Sequence, residues 1–202
     1  AVWVATDAPS HVRHCIEVLE HGKHVASAVP ACFGSLEDAD RLYEAVKRSG
    51  LNYMMFETSG FHDDCYAMRE IFKAGGFGKL VYTEGEYYHY APTPLDSYKG
   101  WRVGCPPLWY PTHSTAYYIG VTGKRYTAVS GTGFRSGRLG YGPDNQYKNP
   151  LSDEIALFQT SEGGSSRMSM CRKEKRFSLA ASFTPMRLSN LPVDRLSTTV
   201  TV

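Results

Sequence analysis

Pro111-Thr112-His113 stands at the head of a predicted helix, with Tyr110 directly before it. Imidazole is a side chain suited to taking or giving a proton, and the phenol beside it can supply a hydroxyl. The same position also suits a histidine with a purely structural role. Lys99 and Arg102 lie a few residues upstream, as orienters of an anionic or polyhydroxyl substrate or as ordinary loop cations. Glu84 and Glu86 alternate with Tyr82 and Tyr88, a pattern that lines a sugar pocket or simply a solvated strand face. His11 and His14 are three apart and could pair on a metal, but the ligand count falls short of a site, so no metal is expected.

The elements that position these groups begin with Val2 to Ala5, a short β-branched and aromatic run that suits a buried parallel strand. It leads into Thr6-Asp7-Ala8-Pro9-Ser10, which is turn and N-cap chemistry. Val12, Cys15, Ile16 and Leu19 then recur at helical spacing until Gly22. His24 to Ser27 form a second short strand ended by Pro30. Ser35 to Asp38 approach a capping box, and Leu36, Ala39, Leu42 and Val46 stripe a helix closed by Gly50. Asn52 to Phe56 make a third strand. Strands alternating with helices through short links predict a partial doubly wound parallel sheet of the Rossmann type. Ligands bind such sheets at the carboxyl ends of the strands, which here are the turns Thr6 to Ser10, Ser27 to Pro30 and Glu57 to Gly60.

After Gly60 the pattern changes, and a domain boundary is placed near Thr58 to Phe61, dividing residues 1–59 from 60–202. Cys65, Met68, Ile71 and Phe72 mark a helix ended by Gly75-Gly76. Leu80 to Tyr90 alternates as a long half-exposed strand. A Pro- and Gly-rich loop from Ala91 to Pro107 precedes a helix over about Thr112 to Val121. Further strands are expected at Tyr126 to Ser130, Glu154 to Thr160 and Arg167 to Cys171, giving an α+β unit with an open, mainly antiparallel sheet. From about residue 172 the tail lacks a clear period, apart from a strand-like end at Ser197 to Val202.

Composition sets the outer bounds. A chain of 202 residues with 42% hydrophobic and 21% charged residues is that of a globular protein rather than a disordered one. Twenty-two basic residues against 20 acidic ones give a net charge of +2, too weak to argue for nucleic acid. Arg172, Lys173, Lys175 and Arg176 form a basic cluster, read as solvated surface. Five scattered cysteines without a CxxC pair fit reduced thiols, hence neither a disulfide framework nor a zinc site, and a cytoplasmic setting. No apolar run reaches the roughly 20 residues of a spanning helix, and no membrane association is expected. The chain starts directly in a strand pattern, so the sequence is read as incomplete at its front.

Val4-Ala5-Thr6-Asp7-Ala8-Pro9-Ser10-His11, a helix, then Gly22-Lys23-His24-Val25 resembles the second half of the nucleotide domain in the glucose-fructose oxidoreductase, inositol dehydrogenase and MocA (Gfo/Idh/MocA) family. Gly75 to Leu80 is similar to that family's approach to its long sheet strand. Trp101-Arg102 and Pro111-Thr112-His113 with Gly123 are similar to its W-R and D-x-G-x-H…G segments. Together these cover Val2 to Thr160.

The resemblance implies an NAD(P)-dependent oxidoreductase acting on a sugar, cyclitol or related hydroxy compound, here as a fragment. Hydride transfer at a carbinol carbon needs a group that exchanges the hydroxyl proton. The family places a lysine for this in E-K-P, where this chain has Ala28-Val29-Pro30, so the role moves to His113. The acidic residue usual four places before that histidine is Trp109 here. Thr6, Asp7, Pro9, His11, Ala28 and Pro30 are expected to line NAD or NADP, and Lys99, Arg102 and Tyr110 the substrate. No G-x-G-x-x-G turn is present to hold the pyrophosphate, so weak or no cofactor binding is expected of these 202 residues alone. Homo-oligomerisation through the second sheet is also expected, the tyrosines of its long strand and Tyr117-Tyr118 suiting an interface. Two other functions fit the same scaffold: glycoside cleavage by transient oxidation with bound NAD, and a non-catalytic binding or assembly role.

Overall fold

The structure, a computed structural model, describes residues 1–89, 93–135 and 137–171, together with the backbone of two strands at Ala180–Met186 and Thr198–Thr201. The first unit runs β1 (Val2–Val4), α1 (His11–Glu20), β2 (Val25–Ser27), α2 (Leu36–Ser49) and β3 (Tyr53–Met55). The three strands form a parallel sheet in the order β1-β2-β3, with Val4, Ser27 and Met55 in register. Val4 and Val25 point to one face and bury Val12, Cys15 and Leu19 of α1 and Leu42 and Ala45 of α2 against it. That is the apolar stripe the helical spacing announces, with one correction. Leu36 lies outside it, 81% exposed, because it occupies the first turn of α2. Ser35 caps that turn by accepting from the Asp38 amide at 3.1 Å, and Gly50 ends the helix in the left-handed region at φ 62°.

The second unit holds α3 (Asp63–Lys73), β4 (Lys79–Tyr88), α4 (Thr112–Thr122), β5 (Tyr126–Phe134), β6 (Asp153–Thr160), β7 (Ser165–Cys171), β8 (Ala180–Met186) and β9 (Thr198–Thr201). Its sheet has the order β5-β6-β7-β4-β8-β9. Every pairing is antiparallel except β4 with β7. β8 falls in the tail that shows no period in the sequence, and β9 matches its strand-like end.

Alternation along β4 gives it two different faces. Thr83 and Gly85 are buried beneath α4, while Tyr82, Glu84, Glu86 and Tyr88 lie half-buried on the other side. There Arg167 of β7 donates to Glu84 at 3.0 Å, to Glu86 at 3.1 Å and to Ser169 at 3.2 Å, so this face carries an organised ion cluster rather than loose charges. Under the helices, Cys65, Met68, Phe77, Leu80, Tyr117, Tyr118 and Val121 form the core. Tyr117 and Tyr118 are therefore core residues, 2% and 1% exposed, and cannot belong to an interface. The sequence pattern misleads there because α4 is apolar on nearly all sides, as expected of a helix wedged between a sheet and another helix. Among the described residues, no helix is long and apolar enough to cross a membrane.

Candidate functional site

The turn that follows β3 places Glu57 below α4. Glu57 is 9% exposed, and its Oε1 accepts the Ser59 amide at 2.9 Å. His113, one residue into α4, brings Nδ1 to 2.7 Å from the same Oε1, with Ser59 Oγ at 3.5 Å. An ionised carboxylate only accepts, so Nδ1 carries the proton of this bond and Nε2 of the neutral ring is left as a base. Burial pushes the Glu57 carboxyl up, but the hydrogen bond and charge of His113 and the Ser59 amide outweigh it, leaving the carboxyl below its ordinary range. A carboxylate that fixes the tautomer and orientation of a histidine and steadies its protonated form is what a proton-transferring imidazole requires.

Arg69 holds the frame of this pair. It reaches from α3 to the Gly120 carbonyl of α4 at 2.6 Å and to the Gly60 carbonyl of the Glu57 turn at 2.9 Å. Tyr87 of β4 lies 4.8 Å from the His113 ring, and Tyr110 lies 5.6 Å from it, both centroid to centroid. Tyr110 is buried in a cluster with Ala8, Trp101 and Cys105, against which Val29, Phe33 and Tyr147 pack. This cluster joins the turns after β1 and β2 to the 98–110 loop. Val29, at the position where the resemblance places a lysine, contributes to that apolar packing, and the Val29–Pro30 peptide is cis. Arg102 lies on the same wall, its guanidinium 4.2 Å from the Trp101 ring and 5.5 Å from that of Tyr110.

The expected cofactor residues divide into two groups. Thr6 and Asp7 line an open recess with Ser97, Tyr98, Trp101 and Arg102, and Pro9 is exposed beside it. Ser10 Oγ ties that turn by donating to Asp7 Oδ1 at 2.9 Å or Thr6 Oγ1 at 3.0 Å. His11 is 1% exposed, with its ring nitrogens 2.7 Å from the Pro30 carbonyl and 3.0 Å from that of Thr6. It clips the first turn to the second and shapes the site without facing it. Ala28 is half-buried and Pro30 buried next to this clip. Lys99 is exposed, its ammonium 5.2 Å from the Tyr98 ring, and it does not line the recesses around Arg102. The sequence singles out the Glu57 to Gly60 turn as one of three strand-end site candidates but assigns Glu57 itself no role.

Residues 1–57 match the family model of the Gfo/Idh/MocA oxidoreductases, described as an oxidoreductase family with an NAD-binding Rossmann fold. An alpha-N-acetylgalactosaminidase and a glycosyl hydrolase family 109 protein of Bacteroides fragilis are each 30% identical over 88 residues, which is 44% of this chain and 20% of theirs. The fold is similar to an oxidoreductase domain protein from Kribbella flavida, with TM-score 0.74 and 20% identity, over 90% of this chain and 52% of that one. It is also similar to apo scyllo-inositol dehydrogenase from Lactobacillus casei, with TM-score 0.74 and 16% identity, over 97% and 57%. The chain thus spans about half of these solved structures, and the matched segment about a fifth of the curated relatives. Over its first 57 residues, β1 to the turn after β3, the chain is thus similar to the NAD-binding Rossmann fold of the Gfo/Idh/MocA oxidoreductase family.

Proposed function

We propose that this chain is the substrate-side part of an NAD(P)-dependent oxidoreductase acting on a sugar, cyclitol or related hydroxy compound. In this reading, residues 1–59 are the second half of the dinucleotide-binding domain and 60–202 the substrate and oligomerisation domain. The observation that carries it is the Glu57–His113 pair, which sits beside the carboxyl ends of parallel strands and under a wall of Tyr87 and Tyr110.

The residues present fit the nicotinamide side of the cofactor. Thr6, Asp7 and Pro9 offer polar and backbone groups on an open recess, and the His11 clip holds the Ala28–Pro30 turn against it. NAD(P)+, when bound, supplies the acceptor for the hydride that leaves the carbinol carbon. His113 Nε2 takes the hydroxyl proton as the carbon–oxygen double bond forms, and Glu57 stabilises the resulting imidazolium. Tyr110 and Arg102 remain the candidates for orienting the substrate, and Lys99, exposed away from them, does not. The 202 residues contain no G-x-G-x-x-G turn, so they are proposed to hold the cofactor weakly by themselves.

The identity to the Bacteroides fragilis proteins favours one alternative, glycoside cleavage through transient oxidation with bound NAD. Incubation with NAD(P)+ and a panel of polyols and aryl glycosides separates the two. A ketone product with stoichiometric NADH supports the dehydrogenase, and glycoside cleavage without net NADH supports the alternative. A form that binds the cofactor yet does neither is a binding or assembly protein.

We further propose that the chain associates with its own copies through the second sheet, where Val129, Phe134 and Leu157 are exposed near the β5 edge. Light scattering should then give a multiple of the 22.5 kDa protomer mass. A monomer at all concentrations removes this proposal.

A further inference from the structure

One margin of the second sheet is β5, Tyr126–Phe134, which pairs with β6 on one side and has no partner on the other among the described residues. An open edge is a template for a further strand, and most are blunted by shortness, charge, proline or a bulge. The edges of the first sheet, β1 and β3, have three residues each, and β9 at the opposite margin of the second has four. β5 has nine, with no charged residue and no proline. Its register against β6 shifts only at the start, between Tyr126 and Ala128, and is regular from there to Phe134. All residues from Thr127 to Thr132 are exposed, on both faces of the strand. We infer that β5 pairs antiparallel with β5 of a second copy about a twofold axis at Ser130, joining two sheets into one. This deepens the proposed self-association and rests on it.

The strand is complementary to itself. Pairing centred on Ser130 sets Val129 of each copy opposite Gly131 of the other, and Ala128 opposite Thr132. A branched side chain then lies over a glycine, on the face where Leu108 comes within 3.2 Å of the position a Gly131 Cβ would take. On the other face two Ser130 hydroxyls meet between the Ala128–Thr132 pairs, and small hydroxyl-bearing pairs of this kind stabilise adjacent strands. No like charges are brought together within the paired stretch. The nearest, Arg125 and Arg135, stand just beyond the two ends of β5.

Apolar surface is bare on both sides of this margin. Val129 is 62% exposed on one face, and Leu157 of β6, in register with Ser130, is 55% exposed on the other. A second strand laid along β5 shields both, which a partner packed on a single face of the sheet does not. The twofold uses the open edge of each copy once, so association through it stops at two chains.

Sedimentation equilibrium over a range of concentrations tests this, and should give twice the 22.5 kDa protomer mass. Val129→Lys and Thr132→Lys each place two ammonium groups on the seam and should weaken dimerisation about 10-fold or more. Both positions are exposed, so the circular dichroism spectrum should not change. Residues directly opposed across antiparallel strands stand about 4.5–5.5 Å apart between Cα atoms, within disulfide reach. Ser130→Cys should therefore cross-link two copies on mild oxidation, under conditions where the wild type does not. A dimer that survives both lysine variants, or a Ser130→Cys protein that stays uncross-linked, overturns the edge pairing and leaves self-association to the open face of the sheet. A monomer at all concentrations overturns the edge pairing and the association together. The oxidoreductase reading keeps its own turnover test in every case.

Discussion

His113→Ala should lower kcat by about 10²- to 10⁴-fold, the range for losing a positioned general base, in a form of the protein that binds NAD(P). KM should change far less, since the loss falls on the transition state. Glu57→Gln should cost less. It keeps the shape of the side chain but exchanges an ionic hydrogen bond of about 3 kcal/mol for a neutral one, or about 10² in rate. The two losses should not add, because Glu57 acts only through His113. A double variant much slower than His113→Ala would show that Glu57 has a separate role. The pair also predicts how stability depends on pH. Folding holds the Glu57 carboxyl below its ordinary range, so this pairing stabilises the fold at neutral pH. That contribution disappears as the pH falls through the lowered value. The Tm gap between wild type and Glu57→Gln should therefore narrow on acidification, and a gap that widens toward low pH contradicts the assignment.

Gly85→Val should be the most damaging single change to the fold of the second unit. A Cβ at Gly85 would meet the Ser114 carbonyl oxygen and would lie 2.6 Å from Met168 Sδ. The methionine can shift, but the carbonyl belongs to α4 itself, one residue past His113. Overpacking of this kind costs about 1–3 kcal/mol, and the upper end applies where backbone must yield. Denaturant titration should give a lower midpoint at unchanged slope. Gly85→Ala should already lose most of that, since the obstruction begins at Cβ. An alanine variant within about 0.5 kcal/mol of wild type, the usual scatter for harmless substitutions, would mean that α4 is not seated so closely on β4.

Local pattern made the first unit legible. Strand runs, the Ser35 cap and the terminal glycines each declare themselves within a few residues, and the parallel sheet follows from their order. His113 was visible for the same reason, at the head of a helix. Its carboxylate is not, because the resemblance points to the place four residues upstream, where Trp109 stands, whereas Glu57 is 56 positions away. Only the crossing of α4 over the β3 turn brings the two together. The Tyr117-Tyr118 pair illustrates the converse. Its aromatic character was plain, but which surface it met depended on α3 and β4, and these buried it. β8 stayed hidden because a seven-residue strand that pairs with a distant partner needs no internal period.

The position of β4 in its sheet has a consequence for how the chain assembles. Both neighbours of this strand, β7 and β8, are made about 80 to 100 residues after it. During synthesis its two hydrogen-bonding edges therefore stay bare while most of the second unit is still emerging. Closing such distant pairings is slow, and an uncovered strand in the meantime invites pairing with other chains. Glu84 and Glu86, which later hold Arg167, serve at that stage as negative charges against self-association, and Gly85 lowers the strand's own tendency to extend. In the finished fold the three part company: Gly85 seats the helix that carries His113, while Glu84 and Glu86 hold Arg167 on the opposite face.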